Sequence, residues 1–215
     1  MAYAFNGTNQ FLSTASAPAS GTPMTLALWV RRSSTATNQS VLSVGDNAGT
    51  HRNQVNLRSG SSPAFAVEAI AIGSITTSRA VTGSATTINQ WDHACCVYNS
   101  ATSRFAYLNG SASAEDTTDV GSQNAATGLQ VATRIASNAT ANFTQGEMAE
   151  VGIWNVALTA AEVASLADGM TCDKVRPQSL VFYAPLVRNL QDVRGGLTIT
   201  NNNAAPVVAH TRVYS

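Results

Sequence analysis

The stretch "GEMAEVGIWNVALTAAEVASLADG", Gly146 to Gly169, holds three glutamates, and paired carboxylates are the commonest route to acid and base chemistry. Spacing argues against it. Glu147 and Glu150 are three apart in an alternating run, and on a strand an odd interval sends two side chains to opposite faces. Glu162 belongs with Thr159 in a capping box, each side chain answering a backbone donor of the other at the start of a helix. Glu115 and Asp116 are neighbours in a turn-rich segment and read as solvated acids. His93 and Cys95 share a face at i, i+2, as a base and a thiol would. They lie in an apolar run with Trp91 and Val97, where a thiolate has nothing to stabilise it. His51 and His210 have no Cys or His at zinc-ligand spacing, and no glycine-rich loop follows a strand to open a helix. The expectation is a chain with no catalytic residues and no cofactor.

Composition narrows the partners. The 215 residues have zero formal net charge and are 11% charged, so no basic field gathers nucleic acid. "MAYAFNGTNQFL" alternates like a strand and lacks the basic start and long apolar centre of a signal peptide. "AFAVEAIAIGSI" is too short to span a bilayer and contains Glu68. No membrane or nucleic-acid partner is expected. Cys95, Cys96 and Cys172 are an odd set with two adjacent members, read as buried reduced thiols.

The elements that must position these residues are short alternating runs separated by turns, the pattern of an antiparallel sandwich. In "MTLALWVRRS", Leu26, Leu28 and Val30 share one face, and Ala27 and Trp29 the other. "NQVNLRSG" turns Val55 and Leu57 inward, Asn56 and Arg58 outward. "INQWDHACCVYNS" and "RFAYLNGSA" read as neighbouring strands, with Asn109-Gly110 as a tight turn. "EMAEVGIWN" places Ala149, Val151 and Ile153 on one face and Met148, Glu150, Gly152 and Trp154 on the other. A helix follows over about 160–167, with Leu158 and Val163 as a hydrophobic staple and Gly169 as its left-handed end. Two turns cannot stand alone, so Val163 and Leu166 are expected to dock on a sheet edge or rim. Beyond "VRPQSLVFYAPLV" the alternation weakens.

The Glu-Val-x-Ile-Trp-Asn strand followed by "ALTAAEVASLADG" resembles the end of laminin-G-like domains of the concanavalin A-like lectin/glucanase superfamily. "YAFNGTNQFLS", "MTLALWVRR" and "WDHACCVYNSATSRFAYLNGS" resemble three earlier pieces of the same pattern, in order. The resemblance implies an all-β fold, an antiparallel two-sheet jelly-roll sandwich with one short helix near 160–167. It implies a sandwich over 1–187 and a C-terminal extension over 188–215. Glycosidases of that superfamily carry Glu-x-Asp-x-Glu or Glu-x-Asp-x-x-Glu along one strand, and this sequence has neither. Its relatives often hold calcium at a loop rim; Asp46 with Asn47, and Asp116 with Asp119, are the local oxygen clusters here, and neither matches a calcium motif of the family. Trp29, Trp91 and Trp154 occupy core or near-core positions of the pattern, which leaves no identifiable sugar-stacking platform.

The segment from "RPQSLVFYAPLV" onward resembles versions found in tailed-phage and prophage structural proteins. That likeness implies a non-catalytic virion structural protein made in the host bacterial cytoplasm, a capsid decoration or cement protein. Its partners would be capsid or other virion proteins and copies of itself, as a homo-oligomer such as a trimer. Leu197, Ile199, Val207 and Val208 would be the assembly anchors of an arm. The alternatives are a carbohydrate-binding module recognising host surface glycan, and a tail or fibre component.

Overall fold

The computed structural model describes residues 1–35, 38–123, 126–136 and 139–210. The first half of the chain forms strands β1 (Ala2–Asn6), β2 (Phe11–Thr14), β3 (Met24–Arg32), β4 (Gln39–Gly45), β5 (Arg52–Leu57), β6 (Ala66–Ile72), β7 (Thr77–Ala85), β8 (Trp91–Ser100), β9 (Ser103–Leu108) and β10 (Ser111–Ala112). The second half forms β11 (Gly128–Val131), β12 (Arg134–Ala136), β13 (Ala139–Ala141), β14 (Gln145–Trp154), helix α1 (Ala160–Ala167), β15 (Leu180–Ala184), β16 (Ile199–Asn202) and β17 (Val207–Val208).

Two antiparallel sheets face each other. The first runs β10-β9-β8-β3-β14-β1-β17, with β15 also paired to β14; the second runs β16-β2-β11-β4-β5-β6-β7. β12 and β13 form a separate hairpin. Turn chemistry sets the register. The Asn6 side-chain oxygen accepts the backbone N–H of Thr8 and of Asn9, and Gly7 takes φ +73°. Asn109 and Gly110 take φ values of 49° and 80°, the paired positive values of a primed hairpin turn between β9 and β10.

The core between the sheets takes one face of each strand. Leu26, Leu28 and Val30 of β3 meet Val55 and Leu57 of β5 and Val67, Ala69 and Ala71 of β6. Each fully buried large apolar side chain contributes roughly 1.5–3 kcal/mol. Tyr98 of β8 crosses this core: its hydroxyl accepts from the Gln54 N–H at 2.9 Å and lies 2.8 Å from the Gln54 carbonyl. Burial pushes the Tyr98 phenol well above the ordinary tyrosine range.

Two details differ from the sequence reading. In β14, Met148 shares the inter-sheet core with Val151 and Ile153, although strict alternation separates them. The register against β3 shifts between Ala149 and Gly152, and Glu150 takes φ 55°, so a bulge inserts one residue and resets which face follows. Helix α1 lies over the outer face of the first sheet rather than on an edge or rim. Val163 and Leu166 join Leu158, Ala27, Cys95, Val97, Tyr107 and Trp154 in a second apolar cluster, which makes this face a small core of its own. The capping box is formed, with Glu162 accepting the Thr159 N–H at 2.7 Å.

The expected boundary at 187/188 falls between β15 and β16. β16 pairs with β2, and β17 with β1.

Candidate functional site

On the second sheet the face turned away from the core carries a different class of residue. Gln54, Asn56 and Arg52 alternate with the core residues Val55 and Leu57 along β5, and Glu68, Ile70 and Ile72 alternate with Val67, Ala69 and Ala71 along β6. Pairing extends this into a row across all seven strands: Thr200, Ser13, Gln130, Ser43, Gln54, Ile70 and Arg79 are successive cross-strand partners. At neighbouring-strand spacing the row is roughly 25–30 Å long.

A groove of about 290 Å³ opens over the β5–β7 part of this face. Arg52, Gln54, Asn56, Ile70 and Ile72 line it from the sheet, Asn38, Arg58, Thr77 and Arg79 from strands and turns beside it, and Arg134 and Asn142 from the two sides of the β12–β13 hairpin. Four of the chain's 12 basic residues therefore meet in one hollow of a molecule with no net charge. The acid of this face is Glu68, buried beside the groove, where its two oxygens accept from Asn56 at 3.2 Å and Ser61 at 2.6 Å; Arg79 stands at 4.0 Å.

The groove's polar groups are incompletely paired. Arg52 is 5% exposed and donates through Nη1 to the Ile135 carbonyl, yet its Nε is covered and has no partner. Gln54 Oε1 and Arg134 Nε of the lining are in the same condition, as are Ser43 Oγ and Gln130 Oε1 farther along the same sheet face, outside the groove. Native proteins leave few such atoms, because each costs about 1–3 kcal/mol. Burial, then the neighbouring Arg134 charge, lowers the Arg52 guanidinium to about 10.

The residues singled out by type and spacing lie elsewhere. Glu147 pairs with Arg31 at 2.7 Å on the first sheet, and Glu150 accepts from the Tyr183 hydroxyl at 2.5 Å in the bulge, 3% exposed. Cys95 and His93 are buried, and burial pushes the Cys95 thiol up, opposite to the shift of an activated nucleophile. All three cysteines are free and buried. His210 meets the Trp91 ring edge-on at 4.4 Å. Trp91 borders a second, open hollow of about 680 Å³ with Arg31, Glu147 and Val208, but the Arg31–Glu147 pair there satisfies its own charges.

The oxygen clusters considered for calcium are engaged by the chain's own groups. Asp46 accepts from the Thr50 N–H at 2.8 Å and the Thr50 hydroxyl at 2.6 Å, with His51 Nδ1 at 3.1 Å. Burial raises its pKa, and these bonds outweigh that and hold it at about 2. Asp116 is bound by the fully buried Arg104 at 2.7 Å and by Ser78 at 2.6 Å, so a cation would have to displace a guanidinium. Among the described residues, no group of three His, Cys, Asp or Glu stands together as a metal site.

Of the assembly anchors, Leu197 and Ile199 pack against the chain's own core. Ile199 pairs with Thr14, Val207 with Tyr3 and Val208 with Ala2. Among the described residues no helix is long and apolar enough to cross a membrane.

A laminin G family model, described as the Concanavalin A-like lectin/glucanases superfamily, matches residues 6–164. No curated protein matches the chain. Among solved structures, the native heptameric SAP-like pentraxin from Limulus polyphemus is 14% identical with a TM-score of 0.66, over 96% of this chain and 97% of that one. Domain 4 of an extracellular GH43 arabinanase from Geobacillus stearothermophilus, solved in complex with arabinotriose, is 20% identical with a TM-score of 0.61, over 77% and 76%. A protein from Bacteroides ovatus described as a candidate carbohydrate-binding protein is 16% identical with a TM-score of 0.65, over 97% of this chain and 61% of that one. At these identities the likeness is one of fold, a concanavalin A-like jelly roll.

Proposed function

Because the chain belongs to a laminin-G-like family of the concanavalin A-like lectin/glucanase superfamily, we propose that it is a non-catalytic carbohydrate-binding domain whose glycan lies in the groove over β5–β7. The observation that carries this reading is the set of covered, unpaired polar atoms on residues lining the groove, Gln54 Oε1, Arg52 Nε and Arg134 Nε. A ligand rich in hydroxyl groups supplies both the donors and the acceptors they lack. Ile70 and Ile72 add an apolar strip for the faces of sugar rings. Sugar binding by solved relatives of the same fold agrees in kind, the arabinanase domain holding arabinotriose. The non-catalytic part of the proposal is supported by Glu68, a single carboxylate with both oxygens engaged, where glycoside hydrolysis uses a pair.

The test is a glycan array probed with the intact chain, followed by calorimetry on each hit. Binding that is lost in Gln54→Leu with the fold intact is the expected result. No binding to any glycan, or binding indifferent to Gln54→Leu, overturns the reading.

A second reading is favoured by one observation, the exposed valines of the C-terminal segment: Val193 is 52% exposed and Val207, on the edge strand β17, 42%. In it the protein is a structural subunit of a phage particle, a capsid decoration or cement protein or a tail or fibre component, that associates through Leu197, Ile199, Val207 and Val208. Light scattering after gel filtration of the intact chain and of Val207→Asp tests it. An oligomer that Val207→Asp dissociates is expected, and a monomer in both sinks it.

A further inference from the structure

We propose that the groove's ligand is an acidic glycan, its carboxylate or sulfate group held between Arg52 and Arg134 while an adjoining hydroxyl group bonds Gln54. This rests on the carbohydrate reading above and narrows it.

Charge comes first. A guanidinium as buried as Arg52 is costly unless a counter-charge answers it. Arg134 is beside it and lowers its proton affinity, an effect larger than the opposing pull of Asp46, whose carboxylate is bonded to Thr50 and His51. Arg52 and Arg134 each have a covered Nε with no partner. Among the described residues no carboxylate stands within ion-pair distance of Arg52, Arg58 or Arg134; of the other buried guanidinium groups, Arg104 has Asp116 at 2.7 Å, and Arg32 has its Nε, Nη1 and Nη2 bonded to Thr86 and Ser34, whereas Arg52 has no such acid and keeps an unpaired Nε. Glu68 answers one groove arginine, Arg79 at 4.0 Å, and is within ion-pair distance of none of the other three. The groove is built to receive an anion from outside. Planar guanidinium groups match the oxygens of a carboxylate or a sulfate two at a time.

Polarity of the hydrogen bonds then adds hydroxyl groups to the description. The Glu68 carboxylate only accepts, so Asn56 must turn its NH2 toward it and present its oxygen to Gln54. Gln54 must answer with its own NH2, at 2.8 Å, which leaves Oε1 facing away and unpaired. An amide oxygen lacks a donor, and a bare anion has none to give. Gln54 is two residues from Arg52 on the same face of β5 and directly opposite Ser43, whose hydroxyl is also unpaired. A group that wants an anion and a group that wants a donor therefore sit side by side, and a sugar acid meets both. The half-buried Arg58, Arg79 and Arg134, on flexible stems at the rim, give way to admit it.

The experiment is titration calorimetry of the intact chain, at about 0.15 M salt, with matched pairs: galactotriose and trigalacturonic acid, lactose and sialyllactose, N-acetyllactosamine and its sulfate ester. Sodium sulfate serves as the sugar-free anion. The expected result is that at least one acidic member binds about tenfold or more tighter than its neutral partner, equivalent to about 1.4 kcal/mol. Which acidic member wins assigns carboxylate or sulfate. The advantage should vanish in Arg134→Gln, whose fold is checked by circular dichroism; if that variant does not fold, Arg134→Lys, which keeps the charge and loses the two-pronged fit, should shrink the advantage. Equal affinity within every pair overturns the acidic preference and leaves the glycan reading standing. Binding of sodium sulfate with no sugar bound, or no binding at all, overturns both.

Discussion

The two sheets have outer faces of opposite character. On the first, Ala27, Cys95, Val97 and Trp154 are apolar and are sealed beneath Leu158, Val163 and Leu166. On the second, Arg52, Gln54, Asn56 and Glu68 are polar, and a groove stays open above them. Polar atoms under the helix are matched within the chain: Trp154 Nε1 donates to the Val175 carbonyl at 2.8 Å, and Tyr183 donates to Glu150. On the groove face Gln54, Ser43 and Arg52 keep unmatched atoms. One face has finished its chemistry on folding, and the other keeps polar atoms that a bound glycan would complete.

That contrast can be broken most forcefully at Trp154, which has no exposed surface. Trp154→Ala should cost about 3–5 kcal/mol in urea unfolding, from the cavity and the lost indole bond. Next comes acid. The Asp46 carboxyl, at the β4–β5 turn beside the groove, has a pKa of about 2 against an ordinary 3.8. Its stabilisation is complete above the ordinary value and is lost as pH falls toward 2, on the order of 2 kcal/mol. Stability measured across that range should drop in the parent and stay flatter in Asp46→Asn. Thr159→Ala, which removes the helix cap, should cost about 1 kcal/mol and leave glycan binding unchanged. Smallest in stability is Arg134→Gln, expected within roughly 0.5 kcal/mol of the parent while acidic-glycan binding collapses. Should it destabilise as much as Trp154→Ala, the groove arginines are structural and the contrast between the faces disappears.

Much of the covered face was legible along the chain, because its signals are local. Thr159 and Glu162 are three residues apart, the staple of Leu158 and Val163 is five, and period-two alternation marks β3 and β5. Where a local rule fails, so does the reading: the bulge at Glu150 has no sequence marker, and Met148 changes face because of it. The groove is non-local. Asn56 and Arg58 were legible as outward residues of one strand, but Gln54, Glu68, Arg79 and Arg134 meet only through cross-strand register and through a hairpin some 80 residues downstream. Nothing in the spacing of those four side chains announces that they share a hollow. The helix landed on a face rather than a rim for a related reason, since the apolar outward residues that receive it come from β3, β8, β9 and β14 together.

Tyr98 couples the two halves of this contrast. Its ring belongs to the first sheet, and its hydroxyl grips the backbone of Gln54 from beneath. A ligand that tugs the Gln54 side chain from above therefore pulls on a phenol anchored across the sandwich. A fluorine atom on that ring would act as an internal microphone, reporting occupancy of the groove by its resonance frequency without any label on the sugar-facing surface.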